Sequence, residues 1–359
     1  MRLEDVVAGI RAGDAKAKQA ATQRQQRLTK PPGSLGRLEE ISIQLAGIFG
    51  TERPIARNTT LVVAAADHGV VAQGVTGYPQ AVTAQMVLNF LGGGAAVSVM
   101  ARTRGVELVI VDAGVATPLP AHPNLRVVSA GRATRDMTQG PAMTREQAED
   151  CISAGVGIAL DAAENGAHVI ATGDMGIGNT TAASAITAAL TTTPPRLTTG
   201  RGTGRSDPEL QHKIACVERA LDVNRPDADD GLDILRTVGG FEIGVLAGVV
   251  LGGALARRAV VLDGFVSGAA ALIAHSLCPT VLDYVIAGHL SAEPGHRVTL
   301  KHLGLQPLLD LDMRLGEGTG ALLAAGLVEV AAACLSDMAT FDEAGVSDRE
   351  PGHPTEPSA

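Results

Sequence analysis

Tryptophan is absent from the 359 residues, and only two tyrosines and five phenylalanines are present. Platforms for stacking nucleic-acid bases need aromatic faces, so they are not expected here. Positive charge is also in deficit. The 29 Lys and Arg are outnumbered by 38 Asp and Glu, for a net charge of −9, and no long basic run compensates. That balance argues against a nucleic-acid partner but leaves room for a local basic pocket. The four cysteines, Cys151, Cys216, Cys278 and Cys334, are too far apart for a metal knuckle or a redox pair. They are expected as buried thiols in a reducing compartment. Residues Met1–Ile10 lack a signal-peptide core. The longest apolar runs are Ile243–Ala256, short for a membrane span, and Phe265–Leu282, which contains Ser267, His275, Ser276 and Pro279. Both are expected as buried elements of a cytoplasmic protein with no membrane partner.

Glycine is in excess: 43 of 359 residues, about 12% against a usual level near 7%. With few aromatics, the core must be built from Ala, Val, Leu and Ile, and a hydrophobic content of 45% supplies it. The length suggests about two domains. The first 50 residues pattern as helices around a Lys30-Pro31-Pro32-Gly33 turn, with Ser34 a candidate N-cap. The tail from about Asp342 is acidic and Pro/Gly-rich, and 342–359 is expected to be disordered.

Between these ends one theme recurs. A short apolar run stops at an acid or a glycine turn, and a helical pattern follows. The runs are Leu61–Ala66, Glu107–Val111, His168–Thr172, Ala259–Leu262, Tyr284–Ala287 and Leu308–Leu315. Continuous apolar strands separated by helices imply a parallel sheet covered on both faces. Six such units predict an α/β, doubly wound architecture. In such sheets ligands sit beyond the carboxyl ends of the strands. Asp67, Asp112, Asp174, Asp263 and Glu317 all fall there and are expected to line one crevice or, alternatively, to cap helices.

Three glycine clusters are candidates for chemistry. Gly173-Asp174-Met175-Gly176-Ile177-Gly178-Asn179-Thr180-Thr181 lies between a strand and a helix. Bare backbone at a helix start suits a phosphate, although a tight structural turn would read the same way. It is neither a Walker A motif nor a dinucleotide fingerprint. Thr199-Gly200-Arg201-Gly202-Thr203-Gly204-Arg205, followed by Lys213, suits anion capture or a solvated loop. Arg314-Leu315-Gly316-Glu317-Gly318-Thr319-Gly320 places a carboxylate at a strand end. Apolar walls would raise its pKa toward a general base, whereas a helix N-terminus would lower it. The histidines show no metal-ligand spacing, so no metal site is expected.

Pro31-Pro32-Gly33-Ser34-Leu35-Gly36-Arg37-Leu38-Glu39, Ala66-Asp67-His68-Gly69-Val70 and the segment 173–181 share their order with further motifs. These are Gly202-Thr203-Gly204, Gly239-Gly240-Phe241-Glu242-Ile243, Asp263-Gly264-Phe265, Glu293-Pro294-Gly295-His296 and Gly316–Gly320. Over about residues 25–340 the chain resembles the nicotinate-nucleotide:dimethylbenzimidazole phosphoribosyltransferases. The resemblance implies a Rossmann-like domain with a six-stranded parallel sheet, here 56–320. It also implies a small helical domain drawn from both chain ends, here 1–55 and 321–341. It further implies a homodimer with shared active sites, and transfer of phosphoribose from nicotinate mononucleotide to 5,6-dimethylbenzimidazole without a cofactor. Carried over by motif, Glu317 would be the general base and Asp174, where many relatives have Glu, a candidate auxiliary acid. Phosphate and ribose would meet Gly176, Ile177, Gly178, Asn179, Thr180, Gly202, Thr203, Lys213, Ser291 and Gly316. The base would meet Tyr78, Pro79, Gln80, Gln85, Met86 and Leu315. Transfer to another base or a phenol, transfer to water, and nucleotide binding without catalysis are the competing functions.

Overall fold

A computed structural model describes residues 1–202 and 206–347. Thr203 and the tail segment 348–359 lie outside the described residues. Six strands, β1 (Thr59–Ala66), β2 (Glu107–Gly114), β3 (Leu125–Val127), β4 (Val169–Met175), β5 (Ala259–Leu262) and β6 (Val285–Ala287), form one sheet in the order β3-β2-β1-β4-β5-β6. All five neighbouring pairs are parallel. In β1 every residue is buried, as expected of a strand covered on both faces. The register sets Val63 beside Ile110 on one side and Gly173 on the other. Strand order reverses between β1 and β4, so a crevice is expected beyond their carboxyl ends.

Five predicted strands are present. The sixth, 308–315, is not a strand. Leu308 and Leu309 donate N–H bonds to Ala287 and Gly288 alongside β6. Pro307 has no N–H to extend a ladder, and Asp312 adopts φ +53°, so regular pairing gives way to an isolated bridge, His289–Leu309, and a further bond from Ala292 N–H to Met313 O. The sheet instead gains β3, which pairs with β2 over three residues.

The apolar runs are core helices. Phe241–Leu255 is buried from Phe241 to Ala254, and Phe265–Leu277 from Phe265 to Ala274. Residues 1–11 and 58–325 form one compact unit. Its first helix, Leu3–Gly9, belongs to this unit and not to the small one expected for 1–55. Val6 and Ile10 are buried, a Cβ on Gly9 would come 2.6 Å from Leu255 Cδ1, and Tyr284 Oη donates to Arg11 O at 2.6 Å.

The second unit comprises 12–57 and the described residues from Gly326 onward. Ala21, Leu28, Ala46 and Leu335 form its core, and Arg24 Nε donates to Leu335 O at 2.7 Å. Its helix Arg37–Phe49 starts after Gly36 (φ +51°) with no side-chain cap, so Ser34 is not the cap. Glu39 organises the turn, accepting from Lys30 Nζ at 2.7 Å, Leu35 N at 3.0 Å and Gly33 N at 3.2 Å. Residues Phe341–Ala344 form a short helix with a Thr340/Glu343 capping box, so the chain is ordered past Asp342, the expected start of disorder.

Candidate active site

Beyond the ends of β1 and β4 lies a cavity of about 650 Å³, ample for a nucleotide-sized ligand. One wall is the loop from β4 to the helix Asn179–Thr191. Gly176 and Gly178 admit no side chain. A Cβ on Gly176 would collide with Ala66 O, and one on Gly178 (φ +96°) would come 2.8 Å from Val71 Cγ2. The backbone is therefore bare where the helix N-terminus opens, an arrangement that attracts anions. Ile177 N–H is fixed on Thr83 Oγ1 at 3.1 Å. The buried Thr181 Oγ1, on the same helix start, has no hydrogen-bond partner.

Lys213, on the helix Asp207–Asn224, adds a cation. It is 2% exposed, and its Nζ donates to Thr180 Oγ1 at 2.8 Å and Gly200 O at 3.3 Å. Gly202 lies over it, with a would-be Cβ 3.3 Å from Nζ. Ser291 is placed by His296, whose Nδ1 accepts the Ser291 N–H at 2.9 Å. Burial, then the charges of His289 and Arg297, push the His296 pKa down to about 3, so the ring is neutral and can accept.

Of the five strand-end acids, two line the cavity, Asp174 and Glu317. The other three are structural. Asp112 accepts from Gly114 N and Val115 N at 3.0 and 2.8 Å, Asp67 from Ala116 N at 2.8 Å, and Asp263 from three N–H groups near Glu317. Glu317 is 4% exposed. Burial raises its pKa; the Val97 N–H, 3.4 Å from Oε2, opposes this, and the charge of Asp263 adds to it. Burial outweighs the Val97 bond, and Glu317 is shifted in the direction a general base requires.

Asp174 is pushed well above its ordinary value by burial and by the charges of Asp263 and Glu242; the Asn179 amide, 2.8 Å from Oδ2, opposes this. An acid with a raised folded pKa contributes stability that is full below its unfolded pKa and is lost as pH rises. Asp174→Asn, which keeps an acceptor for Asn179, should therefore raise the melting temperature at pH 8 by at least about 2 °C. The gain should vanish near pH 4; an equal gain at both pH values would show that Asp174 carries no buried-charge penalty.

Gly176, Ile177, Gly178, Asn179, Thr180, Gly202, Lys213, Ser291, Gly316 and Leu315 line the cavity, as do Tyr78 and Met86. Pro79, Gln80 and Gln85 do not line it; Pro79 and Gln85 are exposed. On the helix Ala81–Leu91, Val82 and Met86, four residues apart, share the cavity-facing stripe and Gln85 lies off it. Residue-level reasoning missed Val82, Phe265, His289, Glu293 and Arg314 as lining groups. His289 follows β6 and Phe265 opens the helix after β5, so the strand-end rule could have found both. Among the described residues no group of three or more His, Cys, Asp or Glu could hold a metal ion.

A family model described as "Phosphoribosyltransferase" matches residues 10–346. The nicotinate-nucleotide–dimethylbenzimidazole phosphoribosyltransferase of Chloroflexus aurantiacus (strain J-10-fl) is 55% identical over 336 residues, covering 94% of this chain and 96% of the relative. The protein of that name from Roseiflexus sp. (strain RS-1) is 54% identical over 345 residues, covering 96% and 98%. A crystal structure of the enzyme of that name from Thermus thermophilus superposes with a TM-score of 0.89 at 48% identity, covering 94% of this chain and all of that one. The fold, the glycine cradle and these matches together place the chain in the nicotinate-nucleotide–dimethylbenzimidazole phosphoribosyltransferase family.

Proposed function

We propose that this chain transfers the 5-phosphoribosyl group of nicotinate mononucleotide to 5,6-dimethylbenzimidazole, giving α-ribazole 5′-phosphate and nicotinate for cobalamin synthesis. The observation that carries this reading is one cavity holding both a bare-backbone anion cradle with Lys213 and a buried carboxylate of raised pKa, Glu317.

The reaction needs little more. In the nucleotide the nicotinate nitrogen is quaternary, so breaking its bond to C1′ neutralises a positive charge. A benzimidazole nitrogen attacks C1′ from the opposite face and inverts β to α. The electron pair of the broken bond stays on the nicotinate nitrogen, and the proton on the second benzimidazole nitrogen passes to Glu317. The phosphate would rest on the Gly176–Asn179 backbone with Lys213, Ser291 and the Gly202 loop around it. Met86, Tyr78, Leu315 and Val82 offer a largely aliphatic slot for a flat ring, consistent with the scarcity of aromatics. Holding both partners in line supplies much of the acceleration. Asp174, held toward its neutral form, stands as a second proton-bearing group. We further propose a cytoplasmic homodimer with shared sites. Apolar side chains left exposed at Leu88 and Val99, 45% and 43%, on the helices Ala81–Leu91 and Ala96–Arg104, support an interface there.

The test is to incubate the pure protein with nicotinate mononucleotide and dimethylbenzimidazole. α-Ribazole phosphate is the expected product. Nicotinate release that needs no base would make it a hydrolase, and nucleotide binding without turnover would make it a binding protein. Faster transfer to a phenol would change the acceptor and keep the chemistry.

A further inference from the structure

Asp263 directly follows β5, yet its side chain does not cap the helix Phe265–Leu277, which has no side-chain cap. It reaches the start of the helix Thr319–Asp337 instead. Oδ2 accepts from Gly318 N at 3.1 Å, and Oδ1 from Gly320 N at 2.8 Å and Ala321 N at 3.0 Å. Three N–H groups around a helix start, where the backbone lacks intrahelical partners, converge on one carboxylate that is 1% exposed. Bonds from N–H groups to a carboxylate are the strong kind.

The clamped backbone adjoins Glu317, which adopts φ +64° between Gly316 at +82° and Gly318 at +89°. An L side chain rarely adopts this conformation, and it persists only when its surroundings over-determine it. The other ties are Glu317 N–H to Asp174 O at 3.1 Å, Thr319 N–H and Oγ1 to Gly316 O at 3.1 and 2.9 Å, and Val97 N–H to Glu317 Oε2 at 3.4 Å. Gly173 packs against the Glu317 carbonyl, and Gly320 lies flush against the His289 ring, whose Nε2 is 3.6 Å from Asp263 Oδ1. Asp263 itself does not line the cavity, so it acts on the reaction through the loop and through the charge it sets near Glu317 and Asp174.

We propose that Asp263 is the positioning residue of the site: its carboxylate clamps the backbone of Gly318, Gly320 and Ala321 and so holds Glu317 in the strained conformation that presents its carboxyl to the cavity. The consequence for turnover rests on Glu317 acting as the base, whereas the clamp itself does not.

Asp263→Asn keeps the shape but sets an NH2 group against a backbone donor. Amide exchange at Gly318, Gly320 and Ala321 should then quicken at least about tenfold, with the exchange of β1 and β4 unchanged. Turnover should fall roughly tenfold to a hundredfold, while the KM for nicotinate mononucleotide stays within about twofold because the phosphate cradle is untouched. The double variant with Glu317→Gln should be no slower than Glu317→Gln alone. Unchanged exchange, or losses that multiply in the double variant, would overturn the proposal. If the unaltered protein transfers no phosphoribose, the functional reading fails, and the exchange measurement still decides the clamp. Should the asparagine variant not fold, Asp263→Ser, which retains one capping oxygen, takes the same measurements.

Discussion

Glu317→Gln should lower turnover at least about a hundredfold, within the usual contribution of a general base, or about 2.7 kcal/mol in activation free energy. Glutamine keeps the size and polarity of the side chain and can still accept the Val97 N–H. It cannot take a proton from the acceptor base. Affinity for nicotinate mononucleotide should hardly change, because the cradle at Gly176–Asn179 and Lys213 belongs to other elements. The pH profile adds a second signature. A base works only when ionised, so activity is lost as pH falls through its pKa. Burial and the charge of Asp263 raise that pKa above the ordinary 4.5. The acid limb of kcat/KM in the unaltered protein should therefore lie at higher pH than for an ordinary glutamate. In the glutamine variant that limb should disappear from the residual activity. Turnover near the original level would remove Glu317 as the base.

The parts of this site that are legible in the sequence are those carried by contiguous residues. A strand covered on both faces reads as an apolar run, and the acid that stops it marks the carboxyl end, so β1, β2, β4, β5 and β6 are visible. β3 is not. It is three residues long, Arg126 and Val127 are exposed, and it pairs only with β2. The reverse error, a strand at 308–315, arises because hydrophobicity alone cannot see that Pro307 and Asp312 interrupt pairing. Glu317 and the cradle are marked by flanking glycines. The division of labour among the five acids is not legible, because it depends on contacts far along the chain. Asp263 caps a backbone 55 to 58 residues away, and no local pattern distinguishes it from Asp174, which faces the cavity.

Bare backbone for a sugar phosphate accounts for only part of the glycine excess. A second set packs helices. Gly244, Gly248 and Gly252 repeat every four residues along Phe241–Leu255, one stripe of a buried helix. Opposite lies the helix Arg145–Glu164. The Cα of Gly155 is 2.9 Å from the position a Cβ would take on Gly248, and that Cβ would overlap the carbonyl of Ile152. The obstructing atoms are backbone, which cannot rotate away. Gly248→Val must therefore push two helices apart across a buried seam. Overpacking a core usually costs about 1–3 kcal/mol when side chains can adjust; here they cannot, so we expect a loss above about 4 kcal/mol. Marginal stability leaves little to absorb that, and the variant should be recovered unfolded or insoluble. Gly157, on the same helix Arg145–Glu164, supplies the control. It is exposed, with nothing within 4 Å of a would-be Cβ. Gly157→Ala should gain roughly 0.5–1 kcal/mol from helix propensity alone. Denaturant unfolding of the two variants separates a packing requirement from a general preference for glycine. A folded Gly248→Val protein with an unchanged midpoint would show that the helices do not meet backbone to backbone.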